Sequence, residues 1–271
     1  MIESVTNLAT LKRRIASLEA FPAAKTRAAV STGHAGVDQA LGGGFTRGRL
    51  HELFGAVEEE GAAAGFSLIL AHLAAGDAPF LWLRGVSRAT GVAYGPGLAA
   101  LGLDPSRVLI GAMADDALLL RAAVDALRCP ALGALVIELR GRAPLLDLTA
   151  SRRLALAAEA SGVTALLLRI GGDPAPSAAE TRWRVAAAPS LPLPGNAPGL
   201  TAFELNLLRR RAGPDGMTWR LVWNAEQGAF GEDWHERDEH GQGGGERGGP
   251  APLSGAVVSV PSDRPAAHHA A

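Results

Sequence analysis

Short apolar runs alternate with longer segments of helical periodicity through the middle of the chain. The predicted strands are mainly apolar runs at residues 80–83, 108–110, 134–139 and 163–170. The predicted helices are residues 97–101, 115–128 and 148–160. Buried strands that alternate with helices are typical of a parallel sheet covered on both faces, so the pattern predicts an α/β fold.

Strands are also predicted on either side of this central region. Before it, residues 49–54 alternate as a strand that leads into a glycine-bearing loop, and residues 66–75 form an apolar helix after the loop. After it, the predicted strands are residues 181–185, 202–211 and 218–224, and a hairpin turn at 212–216 joins the last two. Strands joined by a hairpin lie antiparallel, so we expect an antiparallel edge at the C-terminal side of the sheet.

The pattern of the first twenty residues predicts a separate helix. Leu8, Leu11, Ile15 and Leu18 recur in steps of three and four and form a short apolar seam. Such a segment is too short to be a stable coiled coil by itself. The seam therefore either packs against the chain's own domain or docks a neighbouring chain, and these four residues are the candidate docking contacts.

Composition divides the chain into four segments. Residues 1–20 are the predicted helix, residues 21–30 are a linker with proline and small residues, and residues 31–230 are the α/β domain. Residues 231–271 are rich in glycine, proline and charge, which predicts a disordered tail. Residues 1–230 carry a net charge of +3 and the tail carries −4, a balance that suits a protein near nucleic acid.

The bulk composition excludes several classes of protein. The chain of 271 residues has a single cysteine, Cys129, which excludes a disulfide framework and a cysteine-based zinc site. His34, His51 and His72 lack the spacing of metal ligands, and we expect no metal. The N-terminus lacks the pattern of a secretory signal, and no apolar run is long enough for a membrane span. We therefore expect a cytoplasmic protein without membrane contact.

A glycine-bearing segment after the first long strand carries the candidate chemistry. Gly55, Gly61 and Gly65 suggest a loop whose backbone amides cradle phosphates, and such a loop ordinarily ends in glycine, lysine and a hydroxyl residue. When Gly65 is aligned with the final glycine of this motif, Phe66 stands at the lysine position and Ser67 at the hydroxyl position. Both lysines of the chain lie in its first 25 residues, and three consecutive glutamates occupy the loop. A triphosphate would therefore lack the cation that it needs there.

Two segments around this loop resemble the RecA family, and the likeness extends over roughly residues 30–230. They are Ser31-Thr32-Gly33 with Asp38 and Leu41-Gly42-Gly43-Gly44, and then Gly48-Arg49-Leu50-His51-Glu52-Leu53-Phe54-Gly55. Within that family, the small size, the degenerate loop and the N-terminal helix most resemble the ImuA group. The resemblance implies a RecA-like fold, a mostly parallel sheet with helices on both faces, an antiparallel C-terminal edge and an N-terminal helix.

The resemblance also implies a function. ImuA-type proteins work beside ImuB, a polymerase-like protein, and an error-prone DnaE-type polymerase in the translesion synthesis and mutagenesis of the SOS response. We therefore expect these two proteins as partners, RecA as a further candidate and single-stranded DNA as a weak one. The expected role is that of a non-catalytic accessory protein that acts through protein contacts.

A working RecA-type ATPase needs a lysine in its phosphate loop, a glutamate base after the next strand and an acid for magnesium. In this chain the strand at residues 80–83 is followed by Arg84, Gly85 and Val86, without a carboxylate. Glu138 alone fills its family position, near the end of an apolar strand. We therefore expect no catalytic residue and no bound cofactor, ATP included. The vestigial nucleotide site comprises Gly55, Gly61, Gly65, Ser67 and Glu138.

Arginines supply the candidate contacts with DNA. Arg140 and Arg142 follow a predicted strand at the sheet edge where ligands gather in α/β folds. Arg182 and Arg184 flank Trp183, an arrangement that single-strand binders use to stack bases. Alternation in a strand produces the same pattern with Trp183 buried, and surface ion pairs explain the other two arginines equally well.

Two other functions remain open from the residues. Ser67 and Glu138 suit a working RecA-type ATPase or recombinase. The missing lysine suits a cell-division inhibitor of the SulA type, which is related to the same fold without the ATPase. The predicted N-terminal helix and the full set of strands favour ImuA over the shorter SulA group.

Overall fold

In the computed structural model, residues 28–86, 93–192, 197 and 199–232 are described. The strands are β1 (Ala29–Val30), β2 (Phe45–Thr46), β3 (Leu50–Gly55), β4 (Phe80–Gly85), β5 (Val108–Met113), β6 (Ala134–Arg140), β7 (Thr164–Ile170), β8 (Thr181–Ala187), β9 (Ala202–Arg210), β10 (Thr218–Asn224) and β11 (Ala229–Gly231). Nine of them form one sheet in the order β11-β10-β9-β8-β3-β7-β6-β4-β5, and β1 pairs with β2. The six strands from β8 to β5 run parallel, and β9, β10 and β11 continue the sheet antiparallel.

Helices cover both faces of the parallel part of the sheet. They are α1 (Ala35–Leu41), α2 (Glu60–Ala75), α3 (Gly95–Ala100), α4 (Asp116–Leu127) and α5 (Leu148–Ser161). The first core lies under α1, α2 and α3, and the second core lies under α4 and α5. Successive strand residues alternate between them, so that Val136 faces the first core and Ile137 the second. None of these helices is long and apolar enough to cross a bilayer.

The α/β fold with an antiparallel C-terminal edge is confirmed, and the predicted strands and helices are present with ends that differ by a few residues. The largest difference is α2, which begins at Glu60, whereas the sequence predicts a helix from residue 66. The extra turns consist mostly of alanine and glycine, which carry no apolar periodicity. β1, β2 and β11 were not predicted, and β1 lies in the segment assigned to the linker. The predicted N-terminal helix and nearly all of the predicted tail lie outside the described residues.

The carboxylate of Asp38 organises the turn that precedes α1. It accepts hydrogen bonds from the Ser31 and Thr32 hydroxyls at 2.6 and 2.8 Å, and from the Thr32 and Gly33 amides at 2.9 and 3.2 Å. The ring of His34 then caps the first turn of the helix. The serine, threonine and glycine that carry part of the family resemblance therefore form a structural turn held by one acid.

Glycines end α1 and allow the two short strands to meet. Gly42 caps the helix in the left-handed conformation, with φ of +76°. Gly44 has φ of +118°, and a Cβ there would lie 2.1 Å from the Val30 carbonyl oxygen. Because a side chain would collide with the backbone of β1, the pairing of β1 with β2 requires glycine at this position.

The strand β5 forms one edge of the nine-stranded sheet. Among the described strands it pairs only with β4. Leu109 and Ile110 point to opposite faces of the sheet, and their side chains are 48% and 46% exposed. The sheet therefore ends on this side in an apolar strand.

A buried chain of hydrogen bonds joins β2, β3 and β8. The Trp183 indole donates to the Thr181 hydroxyl at 2.7 Å, and that hydroxyl lies 2.8 Å from His51 Nδ1. His51 Nε2 lies 2.9 Å from the Thr46 carbonyl oxygen, which can only accept, so Nε2 carries the proton and Nδ1 accepts from Thr181. Burial lowers the pKa of His51 from 6.5 to about 4, and the ring is neutral in the folded protein at neutral pH.

We predict that His51 makes the folded protein sensitive to acid. Its pKa is lower when folded than when unfolded, so its contribution is complete above about pH 6.5 and is lost as the pH falls through 4. A pKa shift of this size corresponds to about 3 kcal/mol in the free energy of unfolding. Urea unfolding of the natural protein and of His51→Gln at pH 7 and pH 4.5 measures this contribution, because other titrating groups cancel in the difference. Equal pH dependence in both proteins would contradict the assignment.

Candidate functional site

The loop between β3 and α2 is short and closely packed. β3 ends at Gly55 and α2 begins at Glu60. A Cβ at Gly55 would lie 2.5 Å from a side-chain carbon of α2, so only glycine permits this approach. Within the loop, the Glu59 amide donates to the Ala56 carbonyl at 3.1 Å and the Glu60 amide donates to the Val57 carbonyl at 3.3 Å. These two amides bond to the loop's own carbonyls, so the loop is a tight turn.

Of the residues assigned to the vestigial nucleotide site, Gly55 and Gly61 flank this loop, whereas Gly65 and Ser67 lie further along α2. Gly61 is exposed in the first turn of α2, and Gly65 is half-buried further along the helix. Ser67 is fully buried, and its hydroxyl donates to the Ala63 carbonyl at 2.7 Å. Phe66 is buried against other phenylalanines of the first core. The helix begins at Glu60, five residues before Gly65. Gly65 and Ser67 therefore lie within the helix and not at its start, where the motif spacing placed them.

Two of the three consecutive glutamates tie the loop to neighbouring strands. Glu59 Oε2 accepts a hydrogen bond of 2.7 Å from the Ala187 amide, at the end of β8. Glu60 forms an ion pair with Arg140, at the end of β6. Glu58 is exposed to solvent. Glu59 and Glu60, whose negative charge would repel a bound phosphate, therefore hold the loop in place.

Glu138 is buried near the carboxyl end of β6, on the face of the sheet that α2 covers. Its side chain is 4% exposed, and each carboxylate oxygen has a donor from the protein. The Trp82 indole donates to Oε2 at 2.9 Å, and Arg140 Nε donates to Oε1 at 3.1 Å. Burial raises the pKa of Glu138, and the Arg84 guanidinium opposes that rise together with the Trp82 N–H. Arg84 also lies over the Trp82 ring, 5.3 Å from its centroid.

Arg140 is the centre of this site, because its guanidinium contacts both Glu138 of the sheet and Glu60 of the helix. The carboxylate at the family's magnesium position is thus paired with a cation of the protein itself. Phosphoryl transfer relies on cations that are available to the transferred group. The arrangement suits a structural link between β6 and α2.

A second charged cluster lies at the same end of the sheet on the opposite face. Glu52 of β3 is 1% exposed and accepts a hydrogen bond of 2.8 Å from Arg182 of β8. Arg169 of β7 lies 3.7 Å from the same carboxylate. Burial raises the pKa of Glu52, and the two arginines oppose that rise. The sequence did not identify Glu52 and Arg169 as site residues, although Arg169 is a charge within an otherwise apolar strand.

The structure separates the four arginines that the sequence suggests as DNA contacts. Arg140 and Arg182 are committed to the ion pairs described above. Arg142 and Arg184 are exposed. The prediction that strand alternation buries Trp183 is confirmed, since its side chain is 0% exposed.

The candidate docking helix and the candidate metal ligands can be placed only in part. Leu8, Leu11, Ile15 and Leu18 lie outside the described residues, so their docking role stays a prediction. Within the part of the chain that the structure describes, no three His, Cys, Asp or Glu side chains are grouped so that they could hold a metal ion.

Comparison with known proteins identifies relatives of the chain. No protein-family model matches it. It is 34% identical over 191 residues to Protein ImuA from two strains of Caulobacter vibrioides, a match that covers 65% of this chain and 75% of each relative. The crystal structure of the RadB recombinase superposes with a TM-score of 0.52 at 16% identity, covering 76% of this chain and 100% of that one. The structural match confirms a RecA-like fold.

We predict that Arg140 stabilises the fold through Glu138. Arg140→Met removes a charge-assisted hydrogen bond to a buried carboxylate and should lower the free energy of unfolding by about 1.5–3 kcal/mol. Arg142→Met, two residues away and exposed, is the matched control and should change it by less than about 0.5 kcal/mol. Urea denaturation followed by circular dichroism measures both variants. Equal effects of the two substitutions would show that the contact with Glu138 contributes little.

Proposed function

The chain belongs to the ImuA family, and from that premise we propose that it is a non-catalytic accessory protein of DNA-damage-induced mutagenesis. In this proposal it acts through contacts with other proteins in translesion synthesis during the SOS response. The RecA-like fold supplies a rigid scaffold for such contacts, and ATP hydrolysis has no part in them.

The observation that carries the non-catalytic role is the pairing of Arg140 with Glu138 and Glu60. Transition-state stabilisation in phosphoryl transfer depends on preorganised positive charge around the phosphate. Glu138 stands at the position of the acid that binds magnesium in the family. Here Arg140 is held between Glu138 and a second carboxylate, Glu60. The loop before α2 bonds to its own carbonyls and to β8, and it contains no lysine.

The partners that the family suggests are an ImuB-like polymerase-family protein and an error-prone DnaE-type polymerase. RecA is a further candidate, and single-stranded DNA is a weaker one that would use the exposed Arg142 and Arg184. These assignments are proposals that the sequence family motivates, and each can be tested with purified proteins.

Helices α4 and α5 present the surface that best suits such a protein partner. We define the α4–α5 surface by the exposed residues that line the groove between the two helices: Arg128, Arg153, Leu156 and Ala160. A groove of about 600 Å³ runs between the two helices, with Val124 and Ala157 in its wall and Arg128 and Arg153 at its rim. An exposed apolar groove with polar residues at its rim is typical of interaction sites.

The charges around this groove favour an acidic partner segment. Arg152 and Arg153 are both exposed on α5. Asp125 pairs with Arg128 at 3.2 Å and Glu159 pairs with Arg49 at 2.9 Å, so the positive charge offered to a partner comes from Arg152 and Arg153. We therefore propose that the polymerase-family partner binds the α4–α5 surface with a segment that combines apolar and acidic side chains.

We predict that the purified protein does not hydrolyse ATP. Turnover should equal that of a protein-free blank with and without single-stranded DNA, because no lysine and no glutamate base stand in the family positions. Phosphate release measured by a coupled assay tests this, with Glu138→Ala as the comparison. DNA-stimulated turnover that Glu138→Ala abolishes would establish the working ATPase instead.

We predict that negative charge on the α4–α5 surface prevents binding of the ImuB-like partner. The double variant Arg153→Glu and Leu156→Glu, both in the lining of the groove, should reduce its capture about tenfold or more, a loss of about 1.4 kcal/mol or greater. Leu191→Glu is the matched control, because Leu191 is 53% exposed on a different segment. Both proteins should keep the thermal unfolding of the natural chain. Equal capture of the double variant and the control would refute this surface as the docking site.

A further inference from the structure

A cavity opens at the carboxyl end of the sheet, where β6 and β7 part. Gly141 and Gly171 follow these strands with φ of +58° and +64°, in the left-handed region. The cavity between the loops has a volume of about 360 Å³. Its walls include Arg142, Pro144, Leu146, Arg169, Gly172 and Asp173.

Arg169 lies at the base of this cavity with its hydrogen-bonding capacity largely unused. The residue is 4% exposed, and a guanidinium has five N–H donors. Its Nη1 lies 3.7 Å from Glu52, beyond hydrogen-bonding distance, and its Nη2 lies 3.5 Å from the Gly141 carbonyl, at the limit of that distance. Its Nε has no hydrogen-bond partner among the described residues. A buried charge with so few acceptors is costly, and it is stabilised by any acceptor that enters the cavity.

The neighbouring carboxylates do not meet this need. Glu52 is held by the shorter hydrogen bond from Arg182, at 2.8 Å, so two buried arginines share one acid. Asp116 and Asp173 attract Arg169 at longer range, and Asp173 lies in the cavity wall opposite in charge to Arg142. The charges of the wall therefore offset each other, whereas the unused donors of Arg169 remain.

We propose that this cavity binds a phosphate-class oxyanion, with the guanidinium of Arg169 donating hydrogen bonds to it from below and Arg142 contributing charge at the rim. A planar guanidinium matches two oxygens of such an anion, and a wall of alanine, proline and leucine strengthens the interaction by excluding water. The volume leaves room for a small organic group attached to the anion.

Gly172 keeps the donors of Arg169 accessible. A Cβ at this position would lie 2.7 Å from Arg169 Nη2 and 3.2 Å from its central carbon. Any larger residue would therefore occupy the space beside the guanidinium where an anion would sit. A glycine here is consistent with a site that must admit a ligand.

The cavity lies on the face of the sheet opposite α2, and only Gly171 of its wall adjoins the loop that precedes α2, where its amide donates to the Gly55 carbonyl at 2.8 Å. Arg169 alternates with Leu168 and Ile170, which face the first core, so its side chain projects on the opposite face of the sheet. Leu146 and Ala143 of the cavity wall belong to the second core. Binding here would not depend on a nucleotide in the loop or on the proposed role in mutagenesis.

Titration of the full-length protein with inorganic phosphate, against chloride at constant pH and ionic strength, tests the proposal by calorimetry. Saturable binding is expected, and Arg169→Met should weaken it at least about tenfold. Gly172→Ala should also weaken it without changing any charge, and Arg184→Met, an exposed arginine on β8, should leave it unchanged. Cooperative thermal unfolding checks that each variant is folded.

If Arg169→Met fails to fold, the phosphate affinities of Gly172→Ala and Arg184→Met are compared instead, and only Gly172→Ala should bind more weakly. Displacement of bound phosphate by an oligothymidylate would identify a nucleic-acid backbone as the source of the oxyanion, and its retention would identify a small phosphorylated molecule. The absence of saturable binding, or phosphate binding that Arg169→Met and Gly172→Ala both retain, would overturn the proposal.

Discussion

The ion pairs of Arg140 with Glu138 and Glu60 are the constraint on which the junction of β6 with α2 depends. A buried carboxylate requires donors, and in a working nucleotide site a metal ion and a bound phosphate would share that task. In this chain one guanidinium and the Trp82 indole supply the donors instead. The acid is therefore stable without a ligand, and the sheet is joined to α2 by side chains alone.

Because successive residues of a strand point to opposite faces, the charged residues of the central strands lie on both faces of the sheet. Glu138 projects towards α2, whereas Glu52, Arg169 and Arg182 project towards the opposite face. The first cluster is closed, because each oxygen of its acid has a donor. The second cluster is incomplete, because its cations outnumber its acid. The two faces thus differ in what they can accept, although they are built from neighbouring strands.

Periodicity was sufficient to predict the sheet, its helices and its antiparallel edge, because burial on two faces leaves a strong pattern in the strands. It was not sufficient for the start of α2, where alanine and glycine carry no pattern and a spacing borrowed from a family motif misplaced Gly65 and Ser67. The partners of Glu52 and Glu138 were also not predictable. Each acid has a partner on another strand, and pairs such as Glu52 with Arg182 are 130 positions apart.

The apolar edge strand β5 affects how the protein behaves in solution. Natural sheets commonly protect an edge with a charge or a proline, since an unprotected one offers its backbone to any chain that can align with it. Across the described residues 28–86, 93–192, 197 and 199–232, Leu109 and Ile110 leave this edge without such protection, which gives a concentrated preparation a ready route to intermolecular β-pairing. A lysine introduced at either position is a rational first step towards samples suitable for crystallisation.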